Sequence, residues 1–344
     1  MMDAFAQEET LEASVKEILE EKQIKPAGSD EFQTYQKLQL LVTKGSLKDK
    51  EIVIEDGDLS VANDLNYEVG DKIMVTFSQD LAGNESFYIT DYVRRDPLIL
   101  LFLIFIISAV AIAKWRGVLS LLGMGISFLV ICFFILPKIL AGSNPVEIAV
   151  LGSLIIIPIS FFLSHGLNRK TLVAVVGTLI TLVITGILAN TFVEAAQLTG
   201  FASEEAGFLQ VAKQGIVNIK GLLLAGIIIG VLGVLDDITI SQAAIVFQLK
   251  EANEKLHFNE LYKRAMSVGQ DHISSMINTL ILVYTGAALP LLLLFIDNPH
   301  PFSEIVNYEI IADEIVRTLV SSIGLILAVP ITTFIASLVA GKSR

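Results

Sequence analysis

Arg94-Arg95-Asp96-Pro97-Leu98-Ile-Leu-Leu-Phe-Leu-Ile-Phe-Ile-Ile-Ser108-Ala-Val-Ala-Ile-Ala113 is the stretch at which the chain changes character. Beyond the charged cluster no ionisable residue appears until Lys114. An apolar run of this kind belongs in a bilayer, whose ~30 Å hydrocarbon core takes about 20 residues of helix. Comparable runs recur over 117–137, 145–164, 171–190, 218–249, 272–296 and 315–340. Residues 97–344 therefore read as an α-helical polytopic membrane domain of about seven transmembrane helices. The composition agrees: of 344 residues, 53% are hydrophobic and only 17% charged.

Upstream of the cluster the chemistry reverses. Residues 1–96 hold 21 acidic and 10 basic side chains, against 15 and 14 in the remainder. Such acidity excludes nucleic acid as a partner, because phosphate binding needs basic surface. Over 11–96 the apolar pattern has period two, with turn signals between the runs. Leu38, Leu40 and Val42 alternate before Lys44-Gly45, and Ile52 and Ile54 before Asp56-Gly57. Ile73, Val75 and Phe77 follow Gly70-Asp71, a run over 87–92 follows Gly83-Asn84, and an earlier one surrounds Val15–Leu19. Five short strands in so little chain predict a small all-β, barrel-like domain, with an oligonucleotide/oligosaccharide-type barrel as the expected form. Within residues 1–10, Ala4-Phe5-Ala6 resembles the small-residue end of a signal peptide. The expectation for 1–10 is a leader remnant or a disordered start.

Lys and Arg distribution sets the expected orientation. Lys114, Arg116, Arg169, Lys170, Lys250, Lys255, Lys263, Arg264, Lys342 and Arg344 follow alternate spans, whereas the opposite ends carry only Lys138, Lys213, Lys220 and Arg317. The C-terminus is then cytoplasmic and the β-domain extracytoplasmic, with Arg94-Arg95 dissenting. Cys132, the single cysteine, lies in an apolar run and is expected to be a buried small hydrophobe. His165, His257 and His300 stand in loops without metal-ligand spacing, and no cofactor or metal is called for.

Polar groups at bilayer depth are costly and point to function. In the fifth span, Gly226, Gly230, Gly233, Asp237 and Ser241 fall on one stripe at 100° per residue, beside Asp236, Thr239 and Gln242. The glycines are expected to admit a neighbouring helix closely. This span is so long that it must either tilt strongly or break near Asp236-Asp237. Ahead of and within the sixth span, Asp271, Ser274, Ser275, Asn278 and Thr285 share a face, with His272, Thr279 and Tyr284 nearby. If the two carboxylate groups meet, they form an oxygen-rich site for a hard cation, a proton or a small polar solute. Thr178, Thr181 and Thr185 line a face of the fourth span as polar packing, and Pro158, Pro290 and Pro330 mark kinks.

The segments GVLGVLDDITISQ (230–242) and GQDHISSMINTLILVYTGAALP (269–290) resemble the paired signatures of the YibE/F family of bacterial multi-pass membrane proteins. The resemblance implies a protein of the bacterial plasma membrane, of permease-like character and unassigned substrate. Three functions follow from the residues. The first is a permease with an inner-half carboxylate/hydroxyl cluster. The second is an accessory or assembly protein whose residues 11–96 bind a protein partner. The third is an intramembrane aspartyl-type hydrolase, which the sequence contexts of Asp236, Asp237 and Asp271 fit poorly.

Overall fold

A computed structural model describes residues 7–25, 32–57, 66–79, 84–296 and 301–341. Ala4-Phe5-Ala6, Gly83, His300, Lys342 and Arg344 lie outside the described residues. The chain forms two compact units, Met1–Ile107 and Ser108–Arg344.

In the first unit, five strands form one antiparallel sheet: β1 (Gln7–Ile24), β2 (Gln33–Lys44), β3 (Glu51–Asp56), β4 (Lys72–Gln79) and β5 (Glu85–Tyr92). Their order is β3-β2-β1-β4-β5. The long β1 pairs with β2 on one side and β4 on the other, and its register with β2 slips at three points along its length. Such bulges bend a strand and increase its twist. The sheet curls into a half-barrel, and Lys50 Nζ, beside β3, lies 3.1 Å from Glu85 of β5. The expected period-two residues fill its interior: Leu38, Leu40, Val42, Ile52, Ile54, Ile73 and Val75 are all buried, and Leu11 of β1 joins them. Gln36, also buried, donates from Nε2 to the Tyr67 carbonyl (3.1 Å) and accepts from the Tyr67 N–H (2.8 Å). Its side chain thereby substitutes for a strand partner to the segment entering β4. Gly57 has φ +91°, and a Cβ there would run into the Thr34 carbonyl.

Helix α1 (Arg95–Val130) leaves this sheet two residues after β5. Arg95 grips both oxygens of Glu12 at 3.0 and 3.1 Å, while Asp96 meets Lys72 Nζ at 2.6 Å and Arg94 meets Asp91. The dissenting arginines are thus neutralised by the sheet's own carboxylates. Arg95 and then Lys44 hold the Glu12 carboxyl down to about 2.

At Lys114, α1 departs from helical geometry (φ 54°, ψ −133°), and the chain folds back so that Gly117 lies against the Ala109 carbonyl. A π-turn (Ile131–Ile135) and α2 (Leu136–Leu140) continue it. Then come α3 (Pro145–His165), α4 (Arg169–Ala195), α5 (Glu204–Ala212) and α6 (Ile219–Ala252). They are followed by α7 (Phe258–Ala287), α8 (Leu289–Ile296), α9 (Phe302–Ile305) and α10 (Glu309–Gly341). Among the described residues, five helical stretches are long and apolar enough to cross a membrane, and six if α7 and α8 count as one bent span. The first of these runs 46 residues, and the break at Lys114 divides it into the two helices read from the sequence.

Several expectations need correction. Of the two alternatives for the long fifth span, tilt or a break near Asp236-Asp237, the break is absent: α6 is one helix of 34 residues, about 51 Å at 1.5 Å per residue. The sixth begins earlier, at Phe258, because the polar stretch before His272 is helical too; it bends by 71° between Ala287 and Leu289, just before Pro290. Cys132 is exposed rather than buried. An apolar helix surface in lipid has no need to bury a thiol.

The centre of the second unit is α4, α6 and α10 packed together, with α3 and α7 on its flanks. Close approach of α4 to α10 rests on two glycines. A Cβ on Gly177 would stand 2.5 Å from Thr332 Oγ1, and one on Gly324 the same distance from Thr185 Oγ1. Thr178, Thr181 and Thr185 are buried, and each returns its hydroxyl to the carbonyl four residues earlier. This satisfies the polar atom within the helix and leaves the face smooth enough to pack.

Candidate functional site

The structure distributes the predicted site residues over three environments. On the face of α6 turned to α4 and α10, Thr239 is buried and shares a 2.7 Å hydrogen bond with Thr178 of α4. Gln242 is also buried: its Nε2 donates to the Ala265 carbonyl of α7 (3.0 Å) and to Thr333 Oγ1 of α10 (2.7 Å). Gly269 lies over it, where a Cβ would come within 2.6 Å of Val329 and 3.0 Å of Gln242. These two residues join helices.

Asp236 turns instead to α3. Its Oδ2 accepts from Ser160 Oγ at 3.4 Å, and its Oδ1 is buried without a hydrogen-bond partner. Sequence reading missed Ser160, whose isolated hydroxyl in an apolar helix carries no pattern.

The third environment is an uncovered strip of α6. Gly226, Gly230, Gly233 and Asp237 are all exposed, and Ser241 is half-buried. Among the described residues, nothing beyond the helix's own backbone lies within 4 Å of a Cβ placed on Gly226 or Gly233, and Tyr284 Oη, at 3.9 Å, is what approaches one on Gly230. No neighbouring helix among the described residues packs closely on these glycines. The close helix contacts among the described residues fall to Gly177, Gly324 and Gly269, while the stripe on α6 is left exposed.

Nor do the carboxylates of the two helices converge. The packing face of α7 carries Leu261, Ala265, Gly269 and Leu280, all buried. Asp271, Ser274, Ser275, Asn278 and Thr279 are exposed, with His272 and Tyr284 half-buried. Asp271 lies two residues from Gly269, about 200° round the helix, and so faces away from α6. The Ser274 and Thr279 hydroxyls bond back to their own helix. Asp236 and Asp271 do not form the acid/base dyad that a hydrolase needs, and among the described residues no cluster of three acidic, His or Cys ligands suits a metal.

A further polar group was read from sequence only as loop charge. Asp313, in the first turns of α10, is 7% exposed; its Oδ2 meets Arg317 Nη2 at 3.2 Å and its Oδ1 is unpartnered. Both residues, with Glu314, line a cavity of about 690 Å³ that Gly226 also borders. The i, i+4 spacing of Asp313 and Arg317 was visible, but α10 starting at Glu309 was not.

Helices of membrane-crossing length, sealed against one another through threonines and glycines, define a multi-pass membrane protein. The family model described as YibE/F-like protein matches residues 101–342, and the chain belongs to that family. Comparison with curated proteins and with solved structures finds no match.

Proposed function

We propose that this membrane protein is a permease whose cargo, a cation, a proton or a small polar solute, moves along the uncovered strip of α6. The carrying observation is the continuity of that strip. It begins at Gly226 on the rim of the 690 Å³ cavity and passes Gly230 and Gly233 to the exposed Asp237, with the half-paired Asp236 alongside. From Gly226 to Asp237 this is about 17 Å of helix, over half of a ~30 Å hydrocarbon core. Glycine floors admit a solute to the backbone, and a carboxylate with a free oxygen accepts a proton or cation in transit. The proposed setting is the bacterial plasma membrane, with the first unit extracytoplasmic and the C-terminus cytoplasmic. In support, Arg169, Lys170 and Lys250 gather round one hollow with Ala340, as the positive-inside pattern asks.

The test is flux in proteoliposomes across a panel of cations, with and without a pH gradient. Asp236→Asn and Gly233→Phe are expected to abolish flux while the protein still elutes as a folded species. Full flux in both variants overturns the path.

The outward polar face of α7 favours a second reading, an assembly protein that docks another membrane helix there. Asp271 and Asn278 are exposed and Ser275 returns its hydroxyl only weakly, at 3.4 Å, to the Asp271 carbonyl; interhelical hydrogen bonds are the usual remedy for such groups in lipid. Cross-linking through Asn278→Cys in native membranes, combined with absence of flux, is the outcome this reading requires.

A further inference from the structure

A hollow of about 470 Å³ lies where α4 begins and where α6 and α10 end. Its charged lining is Arg169 and Lys170 from the start of α4, Lys250 from the last turn of α6, and one acid, Glu251. Three cations thus face one carboxylate. Ala244 and Phe247 of α6 and Ala340 of α10 add apolar surface to the same hollow.

Two of the cations have no counter-charge of their own. Lys170 is half-buried and has no hydrogen bond or ion pair among the described residues. Lys250 Nζ donates to the Glu254 and Leu256 carbonyls at 2.6 and 3.0 Å. Those neutral acceptors hold the ammonium in place, leave its charge unpaired and leave one N–H to give. The backbone at the start of α4 is already committed: Asn168 Oδ1 accepts from the Thr171 N–H at 2.9 Å. The hollow therefore acts through its side chains and not through a bare helix end.

A half-buried ammonium without a counter-charge is costly, and an anion recovers that cost. Position selects the anion. Helices that cross a membrane end at its headgroups, and basic pockets between them on the positive side take anionic lipid headgroups. A soluble phosphate leaves Phe247 and its apolar neighbours uncovered, whereas a phospholipid covers them with its glycerol and upper acyl chain. A zwitterionic lipid brings an ammonium of its own against the cations.

We propose that this hollow binds the phosphate of an anionic phospholipid, with Lys170 and Lys250 as its counter-charges and Phe247 against its apolar part. The site is independent of any cargo path along α6, so lipid binding rather than flux is the quantity that tests it.

The full-length protein is titrated in micelles with dioleoylphosphatidylglycerol, and native mass spectrometry counts the lipid retained. One phosphatidylglycerol is expected to bind at least about tenfold more tightly than dioleoylphosphatidylcholine. Lys170→Gln breaks no contact among the described residues, and Gln248→Glu adds a carboxylate at an exposed position of the lining, so both keep the fold. Each is expected to weaken phosphatidylglycerol about fivefold, the attraction of one surface cation for anionic lipid. Lys263→Gln, which removes an exposed charge of α7 outside the hollow, is expected to leave the affinity unchanged. An excess of sn-glycerol 3-phosphate is expected to leave the lipid bound, and displacement by it overturns the assignment to lipid. Equal affinity for phosphatidylcholine, wild-type affinity in both hollow variants, or an equal loss in Lys263→Gln overturns the site itself.

Discussion

Ser160 of α3 and Asp236 of α6, 76 residues apart in sequence, are joined by one hydrogen bond of 3.4 Å, the only partner of the carboxylate among the described residues. At the long edge of hydrogen-bond geometry the hydroxyl compensates little of the cost of burying Asp236. A protein that retains such a half-buried carboxylate within an apolar bundle retains it for something other than stability.

Asp236→Asn is therefore expected to stabilise the folded protein by about 1–3 kcal/mol, by removing an undercompensated charge. Thermal unfolding in detergent, followed through Trp115 fluorescence, gives the shift. A lower midpoint than wild type makes Asp236 a structural residue and weakens the permease reading with it.

Glycines of the second unit divide into two groups that sequence does not distinguish. Gly177→Ala places a methyl against Thr332 and is expected to cost about 1–3 kcal/mol through overpacking. Gly226→Ala meets nothing and is expected to leave stability within about 0.5 kcal/mol, or raise it slightly through helix propensity. Paired melting curves check this, and equal losses contradict the uncovered strip on α6.

Gln242→Leu removes the two hydrogen bonds that tie α6 to Ala265 and Thr333. Both are buried, so the expected loss is about 1–3 kcal/mol. Hydrogen exchange is expected to rise in α7 near Ala265 and to stay unchanged in β1–β5. Uniform change across the chain points to global destabilisation rather than loss of this joint.

The Glu12 carboxyl, held down to about 2 by Arg95 and Lys44 against an ordinary 4.5, gives the first unit an acid dependence. A carboxyl lowered in the folded state contributes stability above its unfolded pKa and loses it as pH falls through the folded one. Resistance of β1 and β2 in the full-length protein to pulse proteolysis is expected to fall between pH 4.5 and about 2. Glu12→Gln is expected to be less resistant than wild type at neutral pH and equal to it at the acid end. A constant difference across that window removes Glu12 as the cause.

Much of the architecture is legible because it rests on local periodicity. Leu38, Leu40 and Val42 announce a half-buried strand by alternation alone, and they are buried in β2. The apolar runs announce helices of membrane length by composition. Helix ends were less legible. The polar run from Phe258 to Asp271 is helical because it lies against neighbours: Phe258 meets Phe334 edge-on and Leu261 is fully buried. No periodicity in 258–271 revealed those partners.

Sequence by itself determined that an acidic β-unit precedes a bundle of membrane helices, and that α6 and α7 carry the unusual polar residues. Both facts follow from side-chain chemistry counted along the chain. Which way those residues face was decided only by tertiary packing. The rotation of α7 is set by Gly269, which lies against Val329 and Gln242, together with Ala265, whose carbonyl Gln242 holds, and that rotation sends Asp271 outward. The rotation of α6 is set by Thr239 against Thr178 and Gln242 against Thr333, which leaves its glycine strip uncovered and turns Asp236 to Ser160. Helical spacing assigns residues to a common face, but only the neighbours that cover a helix decide which face is left open.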